Sequence, residues 1–231
     1  MINPIELSNN VKSQVCLNDK RKYYRFRKTQ FYGGCATADC LGCNLRCVYC
    51  WAQKKVWNPE KFGEFYSSKQ VSNKLLKMNL PLVRVSGGEP TICKSHLMHL
   101  ISLIPENILF ILETNGILID EGFAKELSQF QNIYVRISLK GTDEESFEKI
   151  TSAEGKFFRS QINALQFLDK YKIQNRAAII PELFTVGQIM NLGIPNLEFE
   201  QLIKYPFVIK SLEKKGIIIN LHRRKYIGQD E

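Results

Sequence analysis

The chain has 231 residues, 44% of them hydrophobic, enough for one large core or a core with appendages. Residues 1–30 lack the basic-then-apolar order of a signal peptide and no apolar run approaches about eighteen residues, which argues against secretion and membrane spanning. A net charge of +9, from 32 Lys and Arg against 23 Asp and Glu, favours an anionic partner without identifying one.

Residues 1–20 read as an N-terminal appendage, and 21–231 as a single domain. A strand is expected over 24–32, within the basic-aromatic run Lys20-Arg21-Lys22-Tyr23-Tyr24-Arg25-Phe26-Arg27-Lys28. This run, and His222-Arg223-Arg224-Lys225-Tyr226 near the C-terminus, have two readings: a strand with a solvated cationic face, or a surface that stacks on bases and contacts phosphates. A cysteine-rich loop follows. The stretch 51–68 is then expected to loop over the mouth of a barrel. Further strands over 82–86, 108–114, 133–139, 176–180 and 216–221 alternate with helices over 69–78, 93–104, 121–130, 157–171 and 197–213, the pattern weakening between 184 and 206. Strands rich in Ile, Val and Leu separated by helices predict a parallel sheet with helical crossovers. Six such units make a barrel or most of one. No repeat or linker marks a second domain.

Polar, glycine-containing turns close these strands at Ser86-Gly87-Gly88-Glu89-Pro90, Glu113-Thr114-Asn115-Gly116 and Ser138-Leu139-Lys140-Gly141. Such loops share one rim of an α/β barrel, where catalytic groups gather. Period-two alternation puts Val135, Ile137 and Leu139 against helices and turns Arg136, Ser138 and Lys140 inward, with Arg84 and Ser86, and Glu113 and Asn115, disposed likewise. Charges facing inward predict a polar, zwitterionic ligand, because buried charge is expensive unless paired.

Five of the seven cysteines fall between positions 35 and 50, a concentration that fits metal better than a disulfide framework; Cys16 and Cys93 stand apart. Cys43, Cys47 and Cys50, spaced C-x3-C-x2-C, can hold three irons of a cubane cluster and leave the fourth open. A cluster that only carries electrons has all four irons capped. The alternatives are a structural zinc site or a fully capped, non-catalytic electron carrier, each recruiting Cys40. Zinc ribbons set their two knuckles about fifteen residues apart, far more than the gap between Cys43 and Cys47. Cys35 and Cys40 are expected as reduced loop thiols. His96 and His99 share a helix face without a third ligand and are expected as a solvated or packed surface, while Glu144, Glu145 and Glu148 mark acidic first turns of a helix.

The run Cys43-Asn44-Leu45-Arg46-Cys47-Val48-Tyr49-Cys50, with Gly87-Gly88-Glu89-Pro90 downstream, resembles the radical S-adenosylmethionine (radical SAM) superfamily over most of residues 31–183. The resemblance implies a partial TIM-like (β/α)6 barrel. It also implies a 4Fe-4S cluster on Cys43, Cys47 and Cys50, and S-adenosyl-L-methionine chelating the open iron. Gly87 and Gly88 would admit the ligand close to the backbone, Glu89 would accept from its amino group, Tyr49 would lie near the adenine, and Asn115, Ser138 and Lys140 would contact ribose and carboxylate. Arg136 and Glu113 are further inward groups. The implied reaction is reductive cleavage to methionine and a 5′-deoxyadenosyl radical that takes hydrogen from a substrate, driven by an external low-potential electron donor. An oxygen-sensitive cluster of this kind suits a reducing cytoplasm.

The stretch Ile137-Ser138-Leu139-Lys140-Gly141-Thr142-Asp143-Glu144-Glu145-Ser146-Phe147 is similar to activating enzymes that install a glycyl radical on a partner protein, with Phe147 and Ser152-Ala153-Glu154-Gly155 departing from their pattern. A protein segment is thus the first substrate expectation. RNA or tRNA is the alternative, from the two basic-aromatic runs.

Overall fold

The computed structural model describes residues 1–220. In chain order the elements are α1 (Pro4–Val15), β1 (Cys16–Leu17), β2 (Lys20–Thr29), β3 (Cys35–Cys40), α2 (Gln53–Val56), β4 (Glu64–Ser67), α3 (Ser68–Leu76), β5 (Leu82–Gly87) and α4 (Lys94–Ser102). They continue with β6 (Leu109–Thr114), α5 (Glu121–Leu127), β7 (Ile133–Ser138), α6 (Glu144–Thr151), α7 (Phe158–Lys170), β8 (Gln174–Ile179), α8 (Val186–Met190), β9 (Glu198–Phe199) and α9 (Pro206–Lys214).

One sheet runs β1-β2-β3-β5-β6-β7-β8-β9, with β4 added to β2. The strands from β3 through β9 along this path pair in parallel, whereas β1, β2 and β4 pair antiparallel. The result is an open α/β sheet of the partial-barrel kind, with six parallel strands among the described residues. Alternation sorts its faces as expected: Ala36, Ala38, Val83, Val85, Phe110, Leu112, Val135, Ile137 and Leu139 join Leu75, Leu97, Leu100, Leu127 and Leu165 of the helices in the main core. Arg84, Ser86, Glu113, Arg136 and Ser138 occupy the opposite, inner face, where Arg84, Ser86 and Arg136 meet at Glu113 and Ser138 donates to Glu200.

The six parallel strands are not the six expected. The first is Cys35–Cys40, taken in the sequence for loop; residues 24–32 lie largely in β2, which pairs antiparallel with β3. Part of the expected mouth loop becomes β4, an edge strand on β2. The helix expected over 197–213 divides into β9 and α9, because Pro206 at the first position of α9 cannot extend a helix from upstream. The strand expected over 216–221 is not formed by 217–220; Leu221 and the basic run from His222 to Tyr226 lie outside the described residues.

The first twenty residues pack into the body. Asn3 caps α1 by accepting from the amides of Ile5 and Glu6, and α1 buries Val11 and Val15 against Leu41, Ile92 and Cys93. Each such valine contributes about 1.5–3 kcal/mol. Cys16 and Cys93, which stand apart from the other cysteines in the sequence, form a disulfide that joins β1 to the turn before α4. Among the described residues no helix is long and apolar enough to cross a membrane.

Candidate functional site

The turn after β5 carries the site. Gly87 has φ +95°, and a Cβ there would stand 2.9 Å from the Cys40 carbonyl oxygen; one on Gly88 would stand 2.1 Å from that of Gly42. Only glycine lets this turn lie against the end of β3, where Gly88 N donates to Cys40 O at 2.8 Å and Glu89 N to Gly42 O at 2.7 Å. The close approach that glycine was expected to give a ligand is made here to the root of the cysteine loop. Arg21, 1% exposed, staples the same junction by donating to the carbonyls of Glu89, Leu41 and Pro90 and to Cys40 Sγ. The far side of the loop is held by Arg46 N and Val48 N, which donate to Thr151 O and Ile150 O at the end of α6.

Cys43, Cys47 and Cys50 are free thiols on this pinned loop, Cys47 buried and the others half-buried. Burial pushes the thiols of Cys43 and Cys47 up to about 12 and that of Cys50 up to about 11, and each also feels another of the three: Cys43 feels Cys47, Cys47 feels Cys50, and Cys50 feels Cys43. Cys43 and Cys50 pack against the small apolar cluster that contains Cys47, Leu45 and Phe147. As bare thiols they are protonated at neutral pH, so a metal centre there binds with proton release. Among the described residues no three His, Cys, Asp or Glu side chains converge on a single metal ion. The donor set, three soft sulfurs, fits an iron–sulfur cluster. Cys40 points to the helix side of β3, in the main core, and Cys35 is fully buried against Thr29 and Thr37; neither joins the trio. Arg46 donates to the Cys43 and Leu45 carbonyls and lies over the Trp57 ring at 5.6 Å, bringing a cation beside the thiols.

Glu89 is 1% exposed, and both its oxygens are engaged within the protein. Oε1 accepts from Thr91 N, Thr91 Oγ1 and Thr114 Oγ1, and Oε2 accepts from Asn115 N at 2.8 Å. The carboxylate expected to meet a ligand amine thus ties the end of β5 to the end of β6. Asn115 donates from Nδ2 to Asn44 Oδ1 at 2.7 Å and accepts on Oδ1 from Ile117 N, which locks the end of β6 to the cysteine loop. Asn44, in the middle of the motif, went unremarked in the sequence. It is fully buried, and its Nδ2 has no hydrogen-bond partner.

At the end of β7, Lys140 Nζ donates to Ser138 Oγ at 2.7 Å and stands 5.5 Å from the centroid of the Tyr49 ring, while Ser138 Oγ donates to Glu200. Burial opposes the Lys140 ammonium, but Tyr49, Cys47 and Glu200 around it hold its pKa above the ordinary lysine value. The expected residues Tyr49, Ser138 and Lys140 therefore come together beside Cys47. Gln161, also missed, is fully buried on α7; it donates to Asn115 O and Ser138 O and accepts from Lys140 N, fixing the ends of β6 and β7 as a unit. A glutamine within the apolar stripe Phe158, Ala164, Leu165 and Leu168 was the available signal. Glu198 and Glu200 were lost with the mistaken helix; both bind Arg136 on the inner face. His96 is buried and His99 exposed, so the pair is a packed helix face as expected: His96 Nε2 meets Tyr23 OH at 2.9 Å and its Nδ1 lies near Asp19 O and Ser68 Oγ.

The Radical SAM superfamily model matches residues 40–205. An Fe-coproporphyrin III synthase of Methanosarcina barkeri is 35% identical over 116 residues, covering 50% of this chain and 29% of that protein. A Methanocaldococcus jannaschii protein provisionally named a glycyl-radical enzyme activating enzyme is 27% identical over 163 residues, covering 66% and 58%. Streptococcus suis SuiB bound to S-adenosylmethionine has the same fold at a TM-score of 0.54 and 17% identity, with 78% of this chain and 44% of that one covered. The chain spans less than two thirds of the length of each of these relatives.

Proposed function

This chain belongs to the radical SAM superfamily, and from that membership we propose that Cys43, Cys47 and Cys50 hold a 4Fe-4S cluster and that Gly87, Gly88, Glu89, Asn115, Ser138, Lys140 and Tyr49 form the cradle for S-adenosyl-L-methionine. The observation that carries the reading is the backbone lock between Glu89 N and Gly42 O, which fixes the loop of three free thiols against the glycine turn. When bound, cluster and SAM supply an electron and a 5′-deoxyadenosyl radical that takes hydrogen from a substrate. The chain's own residues do the positioning. Lys140, held as an ammonium next to Ser138, binds a carboxylate; Tyr49 offers a ring face; Glu89 and Gln161 keep three strand ends at fixed separation and bring no flexible charge to the reacting groups. The inner face supplies polar groups to orient substrate.

The substrate is a segment of a partner protein, acted on in the manner of an activating enzyme; similarity to the M. jannaschii protein and the residues from Ile137 to Phe147 support this. A second reading, RNA, rests on the basic-aromatic run of β2 from Lys20 to Lys28. In either case electrons come from an external low-potential donor. The test is anaerobic reconstitution with iron and sulfide, followed by SAM and dithionite. Wild-type protein is expected to form 5′-deoxyadenosine and Cys43→Ala none; a fully loaded wild-type cluster that yields no 5′-deoxyadenosine overturns the proposal.

A further inference from the structure

On the inner face of the sheet three guanidinium groups share too few partners. Arg25 and Arg27 of β2 both donate through Nε to the same oxygen of buried Asp39, at 2.6 and 3.0 Å. Arg84 of β5 is 7% exposed and donates through Nη2 to Ser86 Oγ and to Glu113 Oε2 at 2.5 Å. The register sets these groups side by side, with Arg25 opposite Asp39, Arg27 opposite Thr37, Thr37 beside Arg84 and Asp39 beside Ser86. Glu113 is itself shared with Arg136, whose other partners are Glu198 and Glu200. Donors are therefore left over: Arg25 Nη2 and Arg84 Nε and Nη1 are buried with no hydrogen-bond partner.

We propose that Arg25, Arg27 and Arg84 form a substrate subsite for an oxyanion, the carboxylate or phosphate group that the substrate carries. This rests on the radical SAM reading, which it extends from cofactor to substrate class. Guanidinium groups have no acceptor capacity and their planar forks match oxyanions, whereas a cation would be repelled by the three together. Natively folded proteins keep few buried donors unsatisfied, and those that persist mark places completed by a ligand or by water. The cover over this wall is slight. The turn from Phe31 to Gly33 lays the Phe31 ring 4.4 Å from the Arg84 guanidinium carbon, and Tyr32 donates its hydroxyl to Glu113 Oε1. Phe31 is 53% exposed, Tyr32 has φ +56°, and nothing lies within 4 Å of where a Cβ on Gly33 or Gly34 would sit. The turn can yield without disturbing a packed core.

The test is calorimetric titration of cluster-loaded, SAM-bound protein with inorganic phosphate and, separately, with acetate, at matched ionic strength set by chloride. Saturable binding of at least one is expected; preference for phosphate or for acetate assigns the substrate group. Arg84→Gln and Arg25→Gln should each weaken that binding about tenfold or more. Arg25 side chain is 36% exposed, so its variant decides the matter should Arg84→Gln fail to fold. No saturable binding to the wild type, or equal binding by the Arg25→Gln variant, overturns the subsite and gives the donors to water. 5′-Deoxyadenosine formation is measured in the same wild-type preparation. Its presence without anion binding defeats only the subsite, and its absence with anion binding defeats only the radical reading.

Discussion

Glu89 shows how a residue can belong to a ligand motif and yet act mainly on the protein. Its carboxylate is fully buried and receives four hydrogen bonds, two from Thr91 and one each from Thr114 and the Asn115 amide. Replacing one oxygen by an NH2 group turns donor toward donor. Glu89→Gln is therefore expected to lower stability by on the order of 3 kcal/mol, in urea unfolding of protein carrying neither cluster nor SAM. An unchanged midpoint would return the carboxylate to ligand binding alone. The neighbouring cysteines separate on similar grounds: Cys43→Ala should abolish cluster binding and SAM cleavage, while Cys40→Ala, whose sulfur faces the helices and accepts from Arg21, should leave both largely intact. Equal loss of iron in the two variants would make the motif a four-cysteine site. That Cys43, Cys47 and Cys50 share one loop and that Ser138 and Lys140 lie on one side of the end of β7 was legible in the sequence, because spacing and period-two alternation are local. Asn44 and Gln161 were not, since each acts through a partner more than forty residues away at Asn115.

At the scale of elements, the strands that ended in glycine turns were readable, and the first parallel strand was not. Cys35–Cys40 carries two cysteines and reads as the beginning of a metal loop; only its pairing between β2 and β5 makes it the wall on which that loop is mounted. Its junction with the β5 turn has the tightest steric demand in the site. Gly88→Ala would put a methyl carbon 2.1 Å from the Gly42 carbonyl oxygen, a backbone atom that cannot swing aside. Loss of cluster loading with the secondary structure retained by circular dichroism is the expected outcome; normal iron content would show that the turn and loop move apart freely. On the other side of β2, α4 is pinned by His96, whose pKa burial pushes down to about 4 from an ordinary 6.5. The folded state then binds fewer protons than the unfolded chain between these values, so stability rises with pH across that window and is lost as pH falls through it, by on the order of 3 kcal/mol in full. The urea midpoint should thus drop between about pH 7 and about pH 5, and the drop should shrink in His96→Gln. An identical pH profile in the variant would assign the acid sensitivity elsewhere.

For the molecule as a whole, net charge alone is a poor guide to what the inner wall meets. Of the basic run on β2, Arg21 is fully buried in the β3–β5 junction, Arg25 and Arg27 are bound to Asp39, and Lys22 donates to the Pro59 carbonyl. A strand that looked in the sequence like a phosphate-binding surface has committed much of its charge to holding the fold. The surface cations near the cysteine loop lie against Tyr24, Trp51 and Trp57, which covers ring faces that bases would need for stacking. A chain that uses its charges this way retains a general attraction for polyanions but, beyond the single oxyanion proposed for Arg25, Arg27 and Arg84, few preformed contacts for the successive phosphates of a strand. Each neutralised phosphate of a single strand adds about 0.7 to the slope of log affinity against log salt. Filter binding of tRNA to the cluster-loaded protein across salt concentrations is therefore expected to give no saturable complex at low salt, leaving the partner-protein reading ahead. A saturable complex whose affinity falls steeply with salt, at a slope equivalent to several phosphates, would reverse that order and make RNA the substrate, because so many contacts require cations that the described fold leaves free.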